Sequence, residues 1–345
     1  MSSTIFDAGL VAVGLLFLFF GADWLVDGAS KLAISLGIRP LVVGATVVAL
    51  GTSSPEILVG VVASFKGSSS LVLGNILGSN LANIGLILGL SALILPLRIN
   101  LSVFRIELPV MLGTVVIFYL LAFNGVLGRL EGIALLSGLS AFSWYYLHQA
   151  QKEHRLEVLV DSTKSEKAFF KIHSAPFKKS TAIDPPPQKK TLWSSIGFVV
   201  FGSLVLVAGA EALVRGAVGV ARAAGISKAL IGLSLVALGT SLPELATSLV
   251  AALRKKTDLC VGNVLGSNIM NVLAVGGAAA CISPVAVSNH QLAYDFPAVV
   301  IISALLLPLM KTGNLLSRGE GMLLLAAYGA YMYFSFGGTF GPFGF

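Results

Sequence analysis

Ten apolar runs of 17 to 25 residues leave this chain few folds to choose from. They are Leu10–Val26, Leu41–Phe65, Leu71–Leu95, Ile106–Phe123, Leu130–Leu147, Ser194–Leu213, Ala229–Leu253, Leu259–Ile282, Leu292–Leu309 and Gly319–Phe336. A helix rises about 1.5 Å per residue, so roughly 20 residues cross a hydrocarbon core about 30 Å thick. In lipid only helices and closed barrels satisfy their own backbones. Barrel strands alternate every second residue, and these runs do not. A soluble protein with 56% hydrophobic and 11% charged residues would lack the polar surface to coat itself. The expected fold class is therefore an all-α integral membrane protein with ten transmembrane helices. Few basic residues precede the first run and it contains Asp23, so it reads as a retained helix and not a cleaved signal.

The net charge of +7 reports topology and not a nucleic-acid partner. With ten spans, alternate loops face the same side. Eighteen of the 23 Lys and Arg residues fall in one set of loops, nine of them between His148 and Leu192. Lys66, Arg129, Arg215, Arg222 and Lys228 fall in the other. Cytoplasmic loops carry the excess of basic residues. Both termini are thus expected outside, extracellular or periplasmic, in a multi-pass protein of the cell membrane. Cys260 and Cys281 sit near opposite ends of one predicted helix, about 30 Å apart. They cannot bridge each other and read as small packing residues.

The chain also reads as one sequence used twice. An offset of 188 residues carries Glu56 to Glu244, Gly21 to Gly209, Gly37 to Gly225, Gly51 to Gly239, Asn75 to Asn263 and Asn83 to Asn271. It still holds at Glu107 and Asp295, then slips by one at Arg129/Arg318 and Glu131/Glu320. Each half holds five spans. Because five is odd, the second half enters the membrane from the other side, giving two inverted-topology five-helix repeats, a common build for secondary transporters. The expected divisions are a first repeat over 1–147, a cytoplasmic linker over 148–192 and a second repeat over 193–345. The linker, with Pro185, Pro186 and Pro187, is too short for a β-sandwich domain of about 100 residues.

Two motif pairs carry the chemistry. The first is Gly51-Thr52-Ser53-Ser54-Pro55-Glu56, echoed by Gly239-Thr240-Ser241-Leu242-Pro243-Glu244. A carboxylate at mid-membrane is expensive and marks a functional site by default. Proline inside a helix removes a donor and displaces the carbonyl four residues back. Those carbonyls belong to Gly51 and Gly239, so backbone oxygens are expected to come free beside a carboxylate and two hydroxyls. The second pair is Gly74-Asn75-Ile76-Leu77-Gly78-Ser79-Asn80-Leu81-Ala82-Asn83, echoed by Gly262 to Asn271. Asn75, Ser79 and Asn83 recur every fourth residue and predict one polar stripe, as do Asn263, Ser267 and Asn271. Gly74, Gly78, Gly262 and Gly266 would let another helix approach closely. Taken alone, either stripe fits helix-to-helix hydrogen bonding as well as ligation. Beside a carboxylate-bearing broken helix, ligation is the reading favoured. All these donors are hard oxygens, which suit calcium. His148, His154, His173 and His290 lie in loops or at span ends, which argues against a transition-metal site in the core.

These motifs resemble the α-repeats of the cation/calcium exchanger superfamily, close to its prokaryotic sodium/calcium exchangers. The likeness covers nearly the whole chain. It implies an antiporter and not an enzyme, with calcium and sodium as transported ions and no cofactor. It also implies that Glu56 and Glu244 are the central ligands. Hydroxyl ligands fall on Thr52, Ser53, Ser79, Thr240, Ser241 and Ser267, carbonyl ligands on Ala49 and Ala237, and Asn83 and Asn271 take the remaining corners. In that family the first helix of each half slides across the other eight. Some members carry aspartate where Asn271 stands, so this chain has only two carboxylates in the central layer. Alternative readings are calcium/proton exchange, potassium-dependent exchange and a passive cation channel. The expected partners are the ions and the lipid bilayer, and the expected form is a monomer.

Overall fold

The structure is a computed structural model that describes residues 2–146, 148, 189–223 and 239–340. It is helical almost throughout. The long first helix α1 is Ser2–Leu36. A bent pair follows, α2 over Pro40–Thr52 and α3 over Ser54–Phe65. Next come α4 (Ser69–Ile94), α5 (Glu107–Ala122) and α6 (residues 129–146). The later helices are α7 (Lys189–Ala223), α8 (Leu242–Leu253), α9 (Thr257–Ile282), α10 (Phe296–Lys311) and α11 (Arg318–Phe340). Among the described residues, six helices are long and apolar enough to cross a membrane, and the bent pair makes a seventh span. Most of the predicted linker over 148–192 lies outside the described residues, as does the start of the predicted span Ala229–Leu253.

Four two-residue strands tie the loops together. β1 (Leu97–Arg98) pairs antiparallel with β4 (Leu315–Leu316), and β2 (Val126–Leu127) with β3 (Val285–Ala286). Each ribbon joins one half of the sequence to the other.

Burial separates the helices into a core and a periphery. In α4 and α9, 78% and 83% of the spanning residues are buried. These two helices carry the Gly-, Ser- and Asn-rich motifs, whose small side chains allow close approach. A Cβ on Gly262 would lie 2.5 Å from the Leu41 carbonyl oxygen, and one on Gly266 would lie 2.4 Å from that of Ala45. For Gly74 and Gly78 no described atom lies within 4 Å of an added Cβ. Their repeat-related neighbourhood, 188 residues after Leu41 and Ala45, falls outside the described residues.

The first helices of the two halves lie at the periphery, packed mainly on each other. Gly14, Gly21 and Gly28 of α1 face α7, and Gly202, Gly209 and Gly216 of α7 face α1. Seven-residue spacing keeps each set on one face. An added Cβ on Gly21 would sit 2.8 Å from the Leu206 amide nitrogen, and one on Gly202 2.7 Å from that of Leu25. Both helices run for 35 residues, well beyond the predicted spans. Such a helix is about 52 Å long, so it tilts or projects beyond the hydrocarbon. The apolar pattern stops at Asp27, but the helix continues because Lys31 pairs with Asp27 at 2.6 Å and the Ser30 hydroxyl donates to the Val26 carbonyl at 2.7 Å.

Four acids outside the motifs, Asp23, Glu211, Glu107 and Asp295, have side-chain partners. Asp23 pairs with Arg254 and Glu211 with Arg215. Glu107 accepts the Tyr146 hydroxyl, and Asp295 accepts the Tyr331 hydroxyl at 3.0 Å. Cys260 and Cys281 are both free thiols.

The glycine contacts make a test. Gly21→Val and Gly202→Val each force an extra side chain into backbone and are expected to destabilise by about 1–3 kcal/mol or more. Gly9→Val and Gly197→Val meet nothing within 4 Å and serve as controls. Thermal unfolding in detergent checks this, with a lower midpoint expected for the first pair alone.

Candidate ion-binding site

The site begins at the two breaks. Pro55 and Pro243 each stand at the start of a helix, where the missing N–H costs nothing. The residue before each new helix leaves helical geometry in the same way: φ −80°, ψ 7° at Ser53 and φ −87°, ψ 6° at Ser241. At the first break the chain bends by 47°. Glu56 and Glu244 then fall in the first turns of α3 and α8. Unpaired backbone N–H groups and the positive end of the helix dipole favour negative charge there. The broken helix thus both creates a position for a carboxylate inside the membrane and stabilises it.

Each carboxylate is held by a serine from the other half. Ser53 Oγ donates to Glu244 Oε1 at 2.8 Å, and Ser241 Oγ donates to Glu56 Oε1 at 3.1 Å. The two bonds are the same bond under the 188-residue offset. Ser79 Oγ lies 3.0 Å from Ser241 Oγ, and Ser267 Oγ lies 3.5 Å from Glu244 Oε1. Glu56 is 1% exposed and Glu244 0%. Glu56 Oε2, Glu244 Oε2, Asn83 Oδ1, Asn271 Oδ1 and Thr240 Oγ1 are buried without a hydrogen-bond partner. Buried polar atoms are normally satisfied, and each orphan costs about 1–3 kcal/mol. Two ionised carboxylates with amide and hydroxyl oxygens form a hard, all-oxygen donor set, the kind that binds calcium and similar cations. Among the described residues no cluster of three or more His, Cys, Asp or Glu offers a softer or more acidic alternative.

The structure brings together Ser53, Glu56, Ser79, Ser241, Glu244 and Ser267 through direct bonds, with Asn83 and Asn271 buried on the same central helices. Both asparagines stand at the start of a π-helical stretch, Ala82–Leu88 and Asn271–Gly276. Such wide turns occur often at functional sites. The Thr52 side chain hydrogen-bonds Glu244, and its hydroxyl also lies 3.3 Å from the Ala49 carbonyl and 3.1 Å from Asn263 Oδ1. The Ala49 carbonyl also accepts the Ser53 N–H at 2.8 Å. Ala237 lies outside the described residues. The Gly51 carbonyl does not stay free beside the break, because the Ser54 hydroxyl takes it at 2.9 Å. Asn75 shares the regular α-helix over Ser69–Leu81 with Ser79 and donates to the Glu56 carbonyl at 3.0 Å.

Two residues that the stripe missed sit between the halves. Asn83 Nδ2 donates to Asn268 Oδ1 at 3.0 Å, and Asn271 Nδ2 donates to Asn80 Oδ1 at 3.2 Å. Asn80 and Asn268 are themselves 188 residues apart within the quoted motifs. Their repetition was the available signal.

Comparison with known proteins agrees with this geometry. The profile of the family described as "Sodium/calcium exchanger protein" matches residues 6–147 and again 194–337. The chain is 33% identical to the sodium/calcium exchanger MaX1 of Methanosarcina acetivorans, over 94% of this chain and 96% of that one. It is 35% identical to the putative antiporter CaxA of Alkalimonas amylolytica, over 94% and 97% of the two chains. Solved structures of the sodium-calcium exchanger NCX_Mj superpose on it. The form soaked without sodium or calcium gives a TM-score of 0.79 at 30% identity, covering 96% of this chain and 99% of that one. These relatives are membrane transporters and not enzymes. With buried carboxylates facing serines of the opposite half, and the family profile matching once in each half, the chain belongs to the sodium/calcium exchanger family, a family of cation/calcium antiporters.

Proposed function

We propose that this protein exchanges sodium for calcium by alternating access, with both ions competing for Glu56 and Glu244. The observation that carries the reading is the reciprocal Ser53–Glu244 and Ser241–Glu56 bonding, which sets two buried acids from mirrored halves against one polar pocket. Sodium as the coupling ion follows from similarity to exchangers whose names state it, MaX1 and NCX_Mj. Ser53, Ser79, Thr240, Ser241, Ser267, Asn83 and Asn271 supply further oxygens. Thr52, which already reaches Glu244, and the Ala49 and Ala237 carbonyls complete the set.

Charge supplies the coupling. With both glutamates ionised the pocket carries −2, which one calcium ion or two sodium ions neutralise. A third sodium would leave +1 in a low-dielectric place, where an uncompensated charge is costly. The empty pocket holds two unpaired carboxylates and resists crossing. The loaded pocket is neutral and moves.

The five-plus-five inverted arrangement, with repeats over 1–147 and 193–345, fits the ribbon pairing. Within one half, strands that follow its third and fourth spans lie at opposite faces of the membrane. β1 follows the third span of the first half, yet it pairs with β4, which follows the fourth span of the second. β2 and β3 pair in the converse way. Two halves of like orientation would keep these strands a membrane apart. The basic loops then put the 148–192 linker in the cytoplasm of a cell-membrane protein with both termini outside.

Calcium flux in liposomes under separate sodium, proton and potassium gradients tests the reading. Uptake driven by a sodium gradient alone is expected. Uptake driven by a pH gradient without sodium would replace sodium with protons, and flux indifferent to any counter-ion would indicate a channel. Glu56→Gln and Glu244→Gln each leave a buried charge network half-made, a loss of about 3–5 kcal/mol. That is a factor of hundreds or more in calcium affinity. Sodium-driven uptake is expected to vanish in both, and normal exchange by either would remove the carboxylates from the mechanism.

A further inference from the structure

We propose that Asn80 and Asn268 are positioning residues for ion exchange: each holds the site asparagine of the opposite half so that its amide oxygen, not its nitrogen, faces the cation. The inference rests on the site reading above and adds residues to it. Asn80, Asn83, Asn268 and Asn271 are all 0–1% exposed. The Oδ1 atoms of Asn80 and Asn268 can only accept, so they fix the Nδ2 groups of Asn271 and Asn83 on their own side. The other face of each site amide then presents Oδ1, the atom left buried and unpartnered. The holders are oriented in turn, because Asn80 Nδ2 reaches the Asn268 carbonyl at 3.4 Å and Asn268 Nδ2 reaches Met111 Sδ at 3.6 Å. The arrangement also favours a neutral side chain at 271. Aspartate there would set acceptor against acceptor unless the Asn80 amide turned over and gave up the Asn268 carbonyl.

A double-mutant cycle on calcium binding to the purified full chain tests this. Asn80→Leu keeps bulk and removes the acceptor, so the Asn271 amide can turn its nitrogen inward. About a tenfold higher calcium dissociation constant is expected, with the maximal exchange rate kept. Ion-free stability also falls because the buried Asn80 amide loses its own bonds, so the pattern across backgrounds carries the test. In an Asn271→Ala background the same change should have no further effect, while in an Asn83→Ala background it should act in full. Asn268→Leu should show the reverse pattern, silent only with Asn83→Ala. Additive effects on calcium affinity in both backgrounds, or equal silence in both, would overturn the proposal. Calcium binding that is untouched by Glu56→Gln would instead overturn the site reading.

A second inference comes from a different observation. The structure assigns the Asp23–Arg254 ion pair to one access state and points to Glu211 and Lys66 as the pair that replaces it in the other. It rests on the inverted-repeat reading. Asp23 lies on α1, and Arg254 lies just past the end of α8. α1 packs along α8, while α7 and α3, the repeat-related pair, have no comparable contact. Val62 on α3 is accordingly 41% exposed, whereas its counterpart Val250 on α8 is 7% exposed. The 188-residue offset carries Asp23 to Glu211 and Lys66 to Arg254. Here Glu211 pairs within its own helix with Arg215, and Lys66 is exposed. If opposite access states exchange the conformations of the two repeats, the α1/α7 unit leans the other way. Asp23–Arg254 then opens and Glu211–Lys66 closes.

Cysteine cross-linking in a Cys260→Ala, Cys281→Ala background tests it. A short bridge is made between Asp23→Cys and Arg254→Cys, or between Lys66→Cys and Glu211→Cys. Each pair is expected to cross-link, to arrest sodium-driven calcium flux at least tenfold, and to recover on reduction. Each should also protect a different membrane face of the pocket from labelling. Failure of the 66/211 pair to form under any ion condition, or full flux with either bridge closed, would overturn the latch. Absence of sodium-driven flux in the uncross-linked parent would overturn the exchange reading instead.

Discussion

Ser53 and Ser241 each reach across the internal symmetry of the molecule to the glutamate of the other half, and the site depends on that exchange. A lone carboxylate in a membrane helix would be expelled, neutralised or paired with a base. Here neither Glu56 nor Glu244 has a basic partner among the described ion pairs. Each is held by hydroxyls and by the start of a helix. Those contacts favour the negative charge, while burial and the neighbouring acid oppose it, so a bound cation is what stabilises two ionised glutamates together.

The division of labour among the helices follows from this demand. α4 and α9 must be buried and close, because their asparagines and serines act across the interface between halves. Their glycines permit that closeness, most clearly where Gly262 and Gly266 lie on the backbone of Leu41 and Ala45. α1 and α7 bear no ligand. They share a glycine-lined contact with each other and a large lipid-facing surface, with Phe17, Phe19 and Phe20 exposed on one and Val200, Phe201 and Leu204 on the other. A unit joined by small residues and bounded by lipid can shift against a core without breaking a polar network. The Asp23–Arg254 pair is the polar tie that such a shift must release.

Much of this was legible in the sequence, for a reason that applies to few soluble proteins. In an apolar run every polar residue stands out, and a second copy 188 residues later shows which of them recur. Glu56, Glu244 and the serines beside them were found that way. Periodicity failed where the helix itself changes pitch. Wide turns from Ala82 and Asn271 change the pitch only at the far end of each stripe, while Asn75 and Ser79 stay in regular α-helix and Asn75 bonds the Glu56 carbonyl. The cross-pairing of Asn80 and Asn268 depends on how the halves dock, which no spacing within one half encodes. Proline explains the release of the Gly51 carbonyl, but the neighbouring Ser54 hydroxyl recaptures it. The ends of α1 and α7 were misjudged because a hydropathy window stops at the first charges. Lys31–Asp27 and Arg215–Glu211 instead carry the helices through them.

The central claim is that two mirrored acids share one ion. Strontium, a heavier stand-in for calcium, locates that ion directly by anomalous scattering from a crystal soaked in sodium-free strontium solution. The account predicts a single strong peak at mid-depth, about 2.3–2.6 Å from oxygens of both Glu56 and Glu244, the range for calcium–oxygen contacts. Added sodium should displace it. A peak bound to one glutamate alone, or density only outside the pocket, as beside His290 and Asp295 at the start of the Phe296 helix, would contradict it.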